Sequence, residues 1–100
     1  MMWVSIGVTV KNAAGQPVQL DDAYTMVSKT GQRIPLERRA NEGQYTVLDD
    51  SYRKELENRQ DEFKFVGMKN GAKVVEETYQ ISADCCHVKK VSGKDVVVVQ

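Results

Sequence analysis

Apolar residues alternate with polar or small ones at the start of the chain. Val4, Ile6, Val8 and Val10 share one parity, and Trp3, Ser5, Gly7, Thr9 and Lys11 share the other. Side chains on a strand point to opposite faces in turn, so this pattern predicts a strand with one buried face. Asn12-Ala13-Ala14-Gly15-Gln16-Pro17 then reads as a turn cluster: Gly15 accepts positive φ, and Pro17 has no N–H for a ladder. Val18 to Leu20 resumes extended chain, Asp21-Asp22 interrupts it, and Ala23 to Ser28 is the next expected strand. Lys29-Thr30-Gly31-Gln32 predicts a hairpin turn into Arg33 to Leu36, where Pro35 keeps the strand short or at an edge. Glu37 to Glu42 reads as polar loop, and Gly43 opens a strand that runs to Leu48.

The pattern changes over Asp49 to Gln60, which has no Gly, Pro or β-branched residue. Asp49, Asp50 and Ser51 suit a helix start, Tyr52 and Leu56 share one helical face, and Arg59 suits the end. One short helix is expected here, laid on the outside of a β core. From Phe63 the chain is extended again through Val66, and Asn70-Gly71 predicts a tight hairpin into Val74 to Ile81. Glu77 shares parity with Val75, Tyr79 and Ile81, so either that face is half open or a bulge resets the register. Cys85 to Val91 is the next expected strand, and Ser92-Gly93-Lys94 turns into Val96 to Val99, whose unbroken valines suit a strand covered on both faces. About seven or eight short strands with regular turn signals indicate an all-β sandwich or barrel. With no repeat or linker, residues 1–100 read as a single domain. The expected core includes Val8, Val10, Val47, Phe65, Ile81, Cys86, Val88 and Val97.

Composition narrows the function classes. The 100 residues carry 14 Lys and Arg against 14 Asp and Glu, and zero net charge argues against a module that neutralises nucleic-acid phosphates. The longest apolar run, Val96 to Val99, is far too short to span a membrane. Met1-Met2-Trp3-Val4-Ser5 lacks the basic and apolar regions of a signal peptide. Cys85 and Cys86 are adjacent, so free thiols and a bond between neighbours are both open, and the compartment is not fixed by them.

Val8 to Val18, with its Gly15-Gln16-Pro17-Val18 turn, resembles the opening of carboxypeptidase regulatory-like domains, which share a transthyretin-like (prealbumin-like) sandwich. Gly43-Gln44-Tyr45-Thr46-Val47 resembles the Gly-x-Tyr-x-Val element of that family, and the family's short helix would be Asp50 to Arg59. The fold expected from pattern and resemblance together is an all-β, two-sheet antiparallel Greek-key sandwich of about seven strands with one short helix, transthyretin-like or immunoglobulin-like. The resemblance implies a non-catalytic accessory or binding module, bacterial and exported to the periplasm or cell surface. It would contact a protein or carbohydrate partner through loops or an edge strand. Pairing of edge strands would also allow a homo-oligomer. A cytoplasmic setting stays open. A hydrolase branch of the transthyretin-like fold ends in Tyr-Arg-Gly-Ser and uses several histidines. This chain ends in four valines and Gln100, has only His87, and follows Tyr52-Arg53 with Lys54-Glu55, so no catalytic residue is assigned.

Asp84-Cys85-Cys86-His87 is the one local cluster of metal-capable groups. On a regular strand Cys85 and His87 would share a face and suit a soft ion such as zinc or copper. A structural zinc wants four ligands, and packed core residues are the simpler reading, so no metal or cofactor is expected. A Cys–His nucleophile lacks a third group to orient it. Arg33, Arg38 and Arg39, mixed with Glu37 and Glu42, read as a solvated loop before an anion site. Ser28-Lys29-Thr30-Gly31 lacks the spacing of a phosphate loop. The pairs Asp21-Asp22, Asp49-Asp50 and Glu76-Glu77 read as turns, a helix start and a solvent face. Trp3, Tyr24, Tyr45, Tyr52 and Tyr79 would make a sugar platform only if exposed together.

Overall fold

The opening alternation forms strand β1, Ser5–Asn12, with Ile6, Val8 and Val10 buried on one face. The computed structural model describes residues 4–34, 43–52 and 54–99. Trp3, Pro35, the run Glu37 to Glu42 and Arg53 lie outside the described residues. Seven further strands follow among the described residues: β2 Asp22–Val27, β3 Arg33–Ile34, β4 Gln44–Asp49, β5 Arg59–Lys69, β6 Ala72–Ala83, β7 Val88–Ser92 and β8 Val96–Val99. They form a three-stranded sheet, β4-β1-β8, and a five-stranded sheet, β3-β2-β5-β6-β7. The core lies between the two sheets, so the fold is an all-β sandwich.

The turn chemistry placed in the sequence takes its expected form. Asn70 and Gly71 both have positive φ, 53° and 76°, which the tight β5–β6 hairpin requires. Asn12 Oδ1 accepts from the N–H groups of Ala14 and Gln16, closing the turn after β1. In β4 the consecutive residues Val47 and Leu48 are both fully buried, a break in the strand's alternation. The register against β1 slips there, from Ile6↔Leu48 to Gly7↔Thr46, so Val47 has no partner opposite it. The freed Val47 carbonyl accepts from the buried Thr25 hydroxyl at 2.5 Å, tying the small sheet to the large one. Glu77 lies in an unbroken stretch of the β5–β6 ladder and is half-buried, so its face is half open, and Lys94 Nζ stands 3.7 Å from it.

Tyr45 locks the β1–β2 connection. Its hydroxyl accepts from Leu20 N–H at 2.8 Å and donates to Val18 C=O at 3.0 Å, all in buried surroundings. Tyr45→Phe strands both backbone groups, so urea denaturation should show a loss of about 2 kcal/mol. A loss below about 0.5 kcal/mol, the size of an ordinary surface change, would show that the lock is unimportant.

Several expectations are corrected. The helix over Asp50 to Arg59 does not form: one 3-10 turn spans Asp50–Tyr52, Asn58 takes φ 56°, and Arg59 already pairs with Ala83. The demand of β6 for a long extended partner outweighs helix propensity, which is a weak prior. The antiparallel expectation fails at one pair, because β8 runs parallel to β1. The β7–β8 connection does not turn back within a sheet but crosses to the other one. Val96 to Val99 is covered on one face only. Val97 is buried, while Val96 and Val98 are 44% and 55% exposed, because nothing among the described residues packs on the outer face of the small sheet. Cys86 leaves the core list: it is exposed, since β7 begins at Val88 and residues 84–87 form the turn before it. Val8, Val10, Val47, Phe65, Ile81, Val88 and Val97 are buried as expected.

Candidate functional site

Among the described residues two features stand out from the sandwich, a polar clasp around the Asp84–His87 turn and an unpaired edge along β8.

The β6–β7 hairpin closes through Asp84-Cys85-Cys86-His87, with Asp84 N–H donating to His87 C=O at 3.2 Å. Asp84 Oδ1 accepts from Cys86 N–H at 2.8 Å and His87 N–H at 2.9 Å. Those two N–H groups hold the Asp84 carboxyl below the usual carboxylate range. Cys85 and Cys86 are joined as a disulfide and both are exposed. Because these residues form a turn, Cys85 and His87 do not project from one strand face. The ligand atoms that fall within 4.8 Å of one another belong to Asp84, Cys85 and Cys86.

His87 instead turns inward to Asp50. Its Nδ1 donates to Asp50 Oδ2 at 2.7 Å, Val88 N–H donates to Oδ1 at 2.8 Å, and Val4 N–H donates to Oδ2 at 2.8 Å. Asp50 is buried, and burial pushes its pKa up. The hydrogen bonds from His87, Val88 and Val4 outweigh that, so the carboxyl lies below its ordinary value. The residue expected at a helix start is thus a clasp joining the start of β1, the end of β4 and the start of β7. The one signal of it along the chain is that Asp50, unlike Asp49, shares strand parity with the apolar Leu48.

The remaining candidates take their bland roles. Asp21 Oδ2 accepts from Asn70 N–H at 2.6 Å, closing the end of the β5–β6 hairpin. Glu76 pairs with Lys73 at 2.7 Å and Lys64 at 3.6 Å. Arg33 stacks 3.9 Å above the Tyr24 ring. Gly31 N–H donates to Val27 C=O, so Ser28 to Gly31 is a hairpin turn. Arg38 and Arg39 lie outside the described residues. The tyrosines make no shared platform: Tyr45 and Tyr79 are buried, and Tyr52 packs edge-on against Phe63. A cleft of about 350 Å³ opens between the Asn12–Val18 loop, the Lys69-Asn70 turn and Val99. It lies at the Asn12 end of β1, away from Ser5, Asp50 and His87.

The β8 edge is different in kind. Among the described residues the exposed large hydrophobics are Val91, Val96 and Val98, all on β7 and β8. Thr9 N–H donates to Asp95 C=O at 2.8 Å, and parallel pairing then turns the backbone groups of Val97 toward β1. The N–H and C=O groups of Val96 and Val98 therefore point away from β1, to the side where no strand pairs with β8 among the described residues. Two other edges carry blunting devices: β4 is bulged at Val47, and β7 carries Lys89 and Lys90. β8 is four valines with no charge, proline or bulge. No family model matches the chain, and neither a curated protein nor a solved structure is significantly similar to it.

Proposed function

We propose that this chain is a non-catalytic binding module that captures an extended segment of a partner protein by strand addition along β8. The carrying observation is the unblunted edge itself, two exposed valines whose backbone groups point away from β1, with no further strand beside them among the described residues. An occupant that completes this ladder must be extended, and its residues beside Val96 and Val98 must be apolar to cover them. A carbohydrate partner is less well supported, because the tyrosines are dispersed and packed. A transthyretin-like, carboxypeptidase regulatory-like accessory role agrees with this reading, as does the Gly15 to Val18 turn that follows β1. An exported setting, periplasm or cell surface, is compatible with the Cys85–Cys86 disulfide.

A photocrosslinking residue at position 98 tests the reading. It should capture one protein from the envelope fraction, and an extended peptide from that protein should slow amide exchange at Val96 and Val98. Val98→Pro removes an edge N–H and should weaken that peptide about tenfold or more. Unchanged affinity in Val98→Pro, or protection confined to another face, would remove strand addition. A dimer that dissociates on Val98→Pro would assign the edge to a second copy instead.

A further inference from the structure

The Cys85–Cys86 disulfide is poorly explained as a structural staple. Cross-links stabilise chiefly by restricting the unfolded chain, and the effect grows with the length of chain enclosed. Here the enclosed segment is two neighbouring residues, and the bond joins no two strands. The turn is held by other means: Asp84 accepts from Cys86 and His87, and Asp50 grips the His87 ring and Val88 N–H. Both cysteines are nevertheless exposed, against the usual burial of that residue type. Asp84 places a carboxylate oxygen within 4.8 Å of both sulfurs.

We propose that Cys85 and Cys86 form a redox-gated chelating site for a thiophilic ion of low coordination number, such as trivalent arsenic. The disulfide is the closed state. A dithiol reductant supplies two electrons and two protons, becoming a disulfide itself, and leaves Cys85 and Cys86 as two thiols on one preset turn. Arsenous acid then loses two hydroxyls as water. Each departing hydroxyl takes a thiol proton, two As–S bonds form, and arsenic keeps its third hydroxyl and its oxidation state. A four-coordinate zinc is poorly served, because among the described residues three donors converge, from Asp84, Cys85 and Cys86, and the His87 ring is not with them. This site stands apart from the β8 edge, and either assignment survives the loss of the other.

The test uses the whole chain, reduced with dithiothreitol under anaerobic conditions, freed of reductant and titrated with arsenite. Intact-mass measurement should show one arsenic per chain and loss of both titratable thiols. Affinity should exceed that of a peptide of residues 83–88 by about tenfold, because the fold has already ordered the turn. Cys85→Ser and Cys86→Ser should each abolish the adduct with unchanged circular dichroism, since both positions are exposed. Asp84→Ala should drop affinity toward that of the peptide. Affinity equal to the peptide's, an adduct that survives either cysteine variant, or a disulfide that dithiothreitol does not open in the folded chain would each overturn the assignment.

Discussion

Asp50→Ala should lower stability at neutral pH by about 3 kcal/mol or more, measured by urea denaturation. The carboxylate accepts three hydrogen bonds in a buried place, from Val4 N–H, Val88 N–H and the His87 ring. Hydrogen bonds to charged groups are worth about 1.5–3 kcal/mol each, and a buried donor left unsatisfied costs about 1–3 kcal/mol. The donors come from two segments distant in sequence, Val4 and His87-Val88, so the loss loosens the start of β1 and the start of β7 together. The pH dependence has a definite sign. The folded-state pKa lies below the ordinary 3.8, so the carboxylate's contribution is complete above that value and is lost as pH falls through the folded value. The gap between wild type and Asp50→Ala should therefore narrow in acid. Asp50→Asn should recover only part of the loss, since its amide nitrogen meets N–H donors. A gap that stays constant from pH 7 down to about pH 2 would show that shape, not charge, matters at this position.

The large-scale reading of the chain succeeded where one signal dominated. Period-two burial in Val4 to Val10 and the paired turn residues Asn70-Gly71 are local instructions that tertiary context had no reason to overrule. The Asp49 to Gln60 reading failed because the helix evidence was an absence of helix breakers plus two apolar residues four apart. Arg59 to Glu62 are polar and scarcely buried, so nothing in their pattern announced that they extend β5 beyond the core to pair with β6. The Asp50 clasp was illegible for a related reason. Its donors, Val4 and Val88, offer backbone N–H groups that every residue has, and only the folded topology brings them to one carboxylate. Cys86 and Val98 went wrong through residue type. Cysteine and valine are usually buried, but one sits on a turn and the other on an uncovered sheet face, and those exceptions carry the two functional proposals.

Gly93→Ala should be as damaging as Asp50→Ala, although it adds a single methyl group. Gly93 has φ 134°, a conformation that residues with a Cβ rarely adopt, and strain of this kind costs about 1–3 kcal/mol. The added Cβ would also lie 2.1 Å from Tyr79 Cδ2 and 2.6 Å from Cε2. The ring has no easy retreat. Tyr79 is fully buried, and its hydroxyl donates to Lys94 C=O at 2.6 Å, one residue beyond the glycine. Overpacking adds about 1–3 kcal/mol, for a total near 3 kcal/mol or more. Gly71→Ala is the control: its φ is also positive, 76°, but its Cβ would meet open space, so only backbone strain of about 1–2 kcal/mol applies. The consequence reaches the proposed binding edge. Gly93, Lys94 and Asp95 carry the chain from β7 across to β8, and Asp95 C=O receives Thr9 N–H at the start of the β1–β8 pairing. Gly93→Ala should therefore speed amide exchange at Val97 and weaken partner capture along β8, whereas Gly71→Ala should change neither. Equal behaviour of the two variants would mean that the crossover, and with it the placement of the edge, does not depend on the seat of Gly93 against Tyr79.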